Sequence, residues 1–179
     1  MGEEKPMTIS LYDASIETYR QALAGVTDFM SVSEDYFRAQ GVDLEELVEC
    51  RLIEDMAKFR FQIVSVHHHT ANAAEALVTG EFGGPNDKTR YDWAGLKGRI
   101  EAARTALDAY TPEQIKARAG QDVTFRMGEQ ARTYTAENFL LSFSLPNVFF
   151  HATTAYDLLR MKGAPIGKRN FGGPHRVKG

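Results

Sequence analysis

Residues 52–80 read LIEDMAKFRFQIVSVHHHTANAAEALVTG. Leu52, Met56, Phe59, Ile63, Val66, Thr70, Ala73 and Leu77 follow one another at intervals of four and three. That spacing puts one apolar face of an α-helix toward a core. Gly80 ends the run, as glycine does where a helix must close in a left-handed turn. A rod of this length cannot bury its stripe alone, so its neighbours in the chain should be rods too.

They read that way. Ser10 with Asp13 has the form of a capping box, and Ile16, Tyr19, Leu23, Val26, Met30 and Phe37 carry a first helix as far as Gly41. Asp43 with Glu46 opens the approach to the second helix, and Gly83, Gly84, Pro85 and Asn86 form the loop after it. Asp92 caps a third helix carrying Trp93, Leu96, Ile100, Ala103, Leu107 and Tyr110. Gly95 and Gly98 either weaken that helix or mark the close approach of another. Thr111-Pro112 with Gln114 starts a short further helix, proline standing where its missing N–H costs nothing. Val123, Phe125 and Met127 alternate with polar residues and are followed by Gly128-Glu129, the signature of a two-residue hairpin. Thr135 caps a fourth helix that is apolar nearly all round, with Pro146 expected to kink it and free the carbonyl of Ser142. The expected fold is all-α: a four-helix bundle with a small β-hairpin before the last helix.

The whole chain has 179 residues, of which 43% are hydrophobic and 25% charged, with a net charge of -3. The length suits a single domain, read over 7–172, with residues 1–6 a leader and 173–179 a loose tail. A near-neutral chain has no global field to draw it to nucleic acid or to an anionic membrane. Neither is expected as a partner. The only local excess is basic, from Lys162 to Lys178, and reads as a solvated strap. One cysteine, Cys50, excludes an intrachain disulfide and fits a reducing, cytoplasmic setting. The start lacks the apolar core of a signal peptide. The apolar girth of the fourth helix points to a homodimer built on it.

The chemical lead is histidine. His67, His68 and His69 are consecutive on the second helix, and His151 stands on the fourth. At about 100° per residue, His67 lands about 40° from Ile63, inside the stripe, while His68 and His69 fall on opposite flanks. His151 shares a face with Ser144, Asn147, Thr154, Ala155 and Leu158. Asn147 is one turn before it, a spacing that two ligands on one helix require. The candidate metal ligands are therefore His67, His151 and Asn147. His68, His69, Asp55, Gln62 and Thr154 are candidates to line a pocket, Asp55 and Gln62 lying on one edge of the second helix with His69. Two imidazoles and an amide fall short of the three good ligands a catalytic site uses. His151 as a hydrogen-bonded core residue is the other reading.

The run from Leu145 to Arg160, LPNVFFHATTAYDLLR, resembles a microbial family of unknown function grouped with the DinB-like four-helix bundles. Leu11-Tyr12-Asp13-Ala14-Ser15, Asp55-Met56, Gln62, Gly167-Lys168 and Phe171 resemble it too, so the likeness spans Met7 to Gly172. The resemblance implies an up-down-down-up bundle, often dimeric. In the wider superfamily it implies a metal such as Zn²⁺ or Ni²⁺, held by one histidine of the second helix and two of the fourth, with thiol transfer in some members. Here Asn147 replaces one of that pair, and position 155 is alanine. Two functions stay open. One is a metal-dependent hydrolase or transferase with an incomplete histidine site; the other is a non-catalytic dimeric binding or interaction module without metal.

Overall fold

The structure is a computed structural model, which describes residues 9–85 and 88–177. Helix α1 (Leu11–Ala14) begins at Ser10, whose hydroxyl accepts from Asp13 N–H while the Asp13 carboxylate accepts from Ser10 N–H. Helix α2 (Ile16–Ala39) follows, burying Tyr19, Leu23, Val26, Phe29 and Met30 completely or nearly so. After α3 (Leu44–Val48), the chain reaches a helical rod in three pieces: α4 (Phe59–His67), a π-helical turn His68–Asn72, and α5 (Ala73–Thr79). The third rod is α6 (Trp93–Leu107), capped as expected by Asp92. Helix α7 (Pro112–Lys116) carries the Thr111–Gln114 capping box. The last rod is again tripartite: α8 (Ala136–Asn138), a π-helical turn Phe139–Ser144, and α9 (Leu145–Met161). Helix α10 (Lys168–Gly172) closes the series.

The rods pack in a ring: α2 touches α6 and α9, and α4 touches the same two. Fully buried Tyr19, Phe29, Phe59, Ile63, Phe139 and Leu158 fill the centre, each worth roughly 1.5–3 kcal/mol for leaving water.

Three expectations need correction. The second rod starts at Phe59 rather than Leu52, and residues 50–58 form turns with Leu52 exposed. Two local bonds hold this excursion: Phe59 N–H donates to the Cys50 carbonyl at 2.8 Å, and Lys58 pairs with Glu49. The stretch after Gly80 is also more ordered than a loop. Strand β1 (Glu81–Gly83) pairs in parallel with β2 (Asp122–Met127), which pairs antiparallel with β3 (Gln130–Thr135). A three-residue strand is too short to show alternation, and what fixes it is one buried side chain, Phe82. Asn86 of the expected loop lies outside the described residues. Gly98 has open space around its missing Cβ, and Gly95 faces Asp92 and Tyr91 beside it, so neither marks a helix crossing.

The hairpin is as expected, with Met127 opposite Gln130 across Gly128-Glu129, and Gly128 at φ +60°. Pro146 stands at the start of α9, directly after the π-helical turn. Having no N–H, it cannot supply the bond that would continue an α-helical ladder there.

The C-terminal segment is a strap rather than a rod. Phe171 stacks on Phe29 at 6.5 Å, and Gln21 Nε2 donates to the Gly172 carbonyl at 2.9 Å. Gly25 of α2 makes the approach possible: a Cβ there would stand 2.1 Å from the Phe171 carbonyl oxygen. Residues 173–177, expected to be a loose tail, follow on; Arg176 Nη1 donates to the Asp13 carbonyl at 3.1 Å. The expected leader 1–6 lies outside the described residues.

Candidate imidazole site

Three consecutive helical residues span about 200° of the wheel, so His67, His68 and His69 cannot all face one neighbour. All three are nevertheless buried, because the rod has neighbours on three sides. His67 turns to α6, where its Nδ1 lies 2.8 Å from the Arg99 carbonyl and donates to it. His68 turns to the sheet, its ring 4.5 Å from that of Phe82. His69 turns to the last rod: its ring lies 5.9 Å from His151, nearly parallel at 17°, and 5.6 Å from Phe143. The imidazole that meets His151 is thus His69, not the expected His67.

Both π-helical turns serve this arrangement. Thr70 Oγ1 donates to the carbonyls of Val66 and His67, capturing acceptors that an α-helical ladder would use. Across the bundle, Ser144 Oγ donates to the His69 carbonyl at 2.8 Å. Its single proton being spent, Ser144 accepts at 2.6 Å from the Tyr19 hydroxyl. This buried chain from α2 through the last rod fixes the backbone of His69. Burial pushes the Tyr19 hydroxyl well above its usual pKa, so it remains a donor. Such i→i+5 turns recur at functional positions; nothing in residue spacing announces them.

His151 is half-buried, and its protonation is decided by Gln62. Gln62 is 2% exposed and gives its amide N–H to the Ala57 carbonyl at 2.9 Å. Its Oε1 must then accept, so His151 Nδ1, 2.7 Å away, carries the proton. In the neutral ring Nε2 is therefore a bare acceptor.

Among the described residues, His68 Nε2 and His69 Nδ1 are buried without a hydrogen-bond partner. Burial pulls the pKa of His68 down to about 4, against the lesser, opposing effect of the bond that its ring N–H donates to the Gly83 backbone. Burial likewise takes His69 to about 3 and His151 to about 4. All three rings are uncharged at neutral pH.

The other expected residues are engaged elsewhere. Asn147 Nδ2 donates to the Phe143 carbonyl of its own helix at 2.7 Å, and Thr154 Oγ1 donates to Phe150 at 2.8 Å. Asp55 is exposed on a turn of the 50–58 excursion. Among the described residues, no three His, Cys, Asp or Glu side chains are grouped so as to hold a metal ion. Phe82, Phe61 and Ser144 join the site without having been singled out for it. Phe82 was hidden in an apparent loop, and Phe61 lies off the apolar stripe.

The family model described as "Domain of unknown function (DUF1993)" matches residues 11–172. A crystal structure of a DinB family member protein from Shewanella denitrificans is similar over 94% of this chain and 95% of that one, with a TM-score of 0.79 and 23% sequence identity. That likeness establishes a DinB-like fold, mostly helical with a small sheet. No curated protein matches the sequence.

Proposed function

This chain belongs to the DUF1993 family, and from that premise we propose that it is a non-catalytic binding module: an up-down-down-up DinB-like bundle that works as a homodimer in the cytoplasm, without a metal. One observation carries the reading. The imidazoles that meet at the inner face, His68, His69 and His151, are neutral and, among the described residues, have no carboxylate, thiol or hydroxyl nucleophile among their ring and hydrogen-bond partners. On our reading the donors do not fit a divalent ion. His67 turns to α6 rather than to His151, Asn147 bonds back to Phe143 of its own helix, and among the described residues no three His, Cys, Asp or Glu side chains are grouped to hold an ion. Rings with pKa values of about 3–4 are also poor general bases at neutral pH. The competing reading, a metal-dependent hydrolase or transferase, would require these side chains to rearrange.

The dimer rests on the outer side of the last rod. Leu141, Phe149 and Phe150 are exposed there, with Pro146 between them, and apolar surface of this kind marks an interface. Among the described residues no helix is long and apolar enough to cross a membrane, and the net charge of -3 gives no general attraction to nucleic acid.

Light scattering on the full chain tests the dimer. The wild type should run as a dimer, and Phe150→Asp as a folded monomer. A monomeric wild type overturns that part. Elemental analysis of protein purified without a histidine tag tests the rest: metal well below one ion per chain is expected. One ion per chain that is lost in His151→Ala would establish the metalloenzyme instead.

A further inference from the structure

We propose, resting on the binding-module reading, that the His68–His69–His151 group recognises an uncharged, flat ligand that donates hydrogen bonds. Two acceptors are in place, His151 Nε2 and the Nε2 of His68, whose ring gives its other N–H to the Gly83 backbone. His151 presents Nε2 because Gln62 holds its Nδ1 proton. His68 Nε2 and His69 Nδ1 belong to rings only 6% and 8% exposed, and both atoms lack a partner among the described residues. A buried polar atom left so costs about 1–3 kcal/mol, a cost that a ligand's N–H or O–H would remove. The three rings are contiguous: His69 lies 5.1 Å from His68 and 5.9 Å from His151.

The surroundings decide the ligand's charge and shape. Phe82 faces His68, Phe143 faces His69, and Phe61 and Phe150 flank His151 at 5.8 and 5.3 Å. No carboxylate is among these contacts, and among the described residues no three His, Cys, Asp or Glu side chains are grouped to hold a divalent cation. An anion would meet acceptors rather than donors. A neutral ring with O–H or N–H groups suits both the lone pairs and the aromatic walls. It would enter beside His151, which is half-buried, on the side of the exposed ring of Phe61 and away from the Phe149–Phe150 face assigned to the dimer.

Resorcinol, a flat neutral ring with two O–H donors, is the probe, and 1,3-dimethoxybenzene is its control without donors. Each is titrated into untagged full-length protein, with calorimetry and imidazole ¹⁵N shifts as readouts. Resorcinol should bind saturably, move the His69 and His151 signals, and bind at least about tenfold more tightly than the control, a difference of about 1.4 kcal/mol. His151→Phe, at the half-buried mouth, should lose at least about the same factor while keeping its fold. Equal binding of both probes would reveal an apolar cleft only, and binding of neither a sealed polar core; each overturns the proposal. Those failures leave a metal-free dimer intact, so they sink the ligand class alone. Stoichiometric Zn²⁺ binding that moves the same signals would sink the binding-module reading with it.

Discussion

Lowering the pH from about 8 to about 5 should destabilise this protein through its buried histidines. His68 and His69 have folded pKa values of about 4 and 3 against 6.5 for the free side chain. The direction follows from proton counts. Between pH 6.5 and about 4 the unfolded chain binds a proton at each ring and the folded chain does not, so acid favours unfolding. At about pH 5, each ring forgoes about 1.5 pH units of protonation, or ~2 kcal/mol. The pair should cost ~4 kcal/mol between about pH 8 and about pH 5, a large part of the roughly 5–15 kcal/mol that keeps a domain folded. His151, half-buried with a pKa of about 4, adds to this with some discount for solvent. Two paired carboxylates act below this window. Glu49 is held down by its bond to Lys58, and Asp13 by its bond to the Ser10 hydroxyl; both act only at lower pH. Urea unfolding across this range measures the effect as a falling midpoint at constant slope. Stability at about pH 5 within about 1 kcal/mol of that at about pH 8 would mean that the rings accept protons in the folded state. The buried neutral cluster would then be refuted.

Other consequences follow from single contacts. Gly25→Ala drives a Cβ to 2.1 Å from the Phe171 carbonyl oxygen, so it should cost about 1–3 kcal/mol and speed amide exchange over 168–172; unchanged exchange would contradict the docked strap. Tyr19→Phe removes the 2.6 Å bond to Ser144 and should cost about 1–2 kcal/mol in urea unfolding; no measurable loss would argue against the chain that fixes His69. Gln62→Glu puts a carboxylate against His151 Nδ1 and should raise the His151 pKa by at least about one unit in an NMR titration; an unmoved titration would break the Gln62–His151 pairing.

Spacing alone carried the helices because their stripes are long and their caps are chemical: Ser10, Asp92, Thr111 and Thr135 all cap as expected. The start of the second rod was misread because Leu52 and Met56 happen to keep the helical interval while the chain turns through 50–58. The site was legible in part. His151 and Gln62 take part, and His68 and His69 occupy seams as their flanking positions allowed. His67 was assigned to the wrong neighbour because a wheel gives an angle without saying which element stands there. Here α6 lies on that side and offers the Arg99 carbonyl. The π-helical turns had no signature in the apolar interval, and the bond that joins them, Ser144 to His69, is tertiary.

The most direct measurement is a long-range ¹H–¹⁵N spectrum of the histidine rings near neutral pH, before and after one equivalent of Zn²⁺. The account predicts neutral rings, with the His151 proton on Nδ1, and a spectrum that the ion leaves unchanged. Charged rings at His68 or His69, or Zn²⁺ shifting His69 and His151 together at one ion per chain, would contradict it.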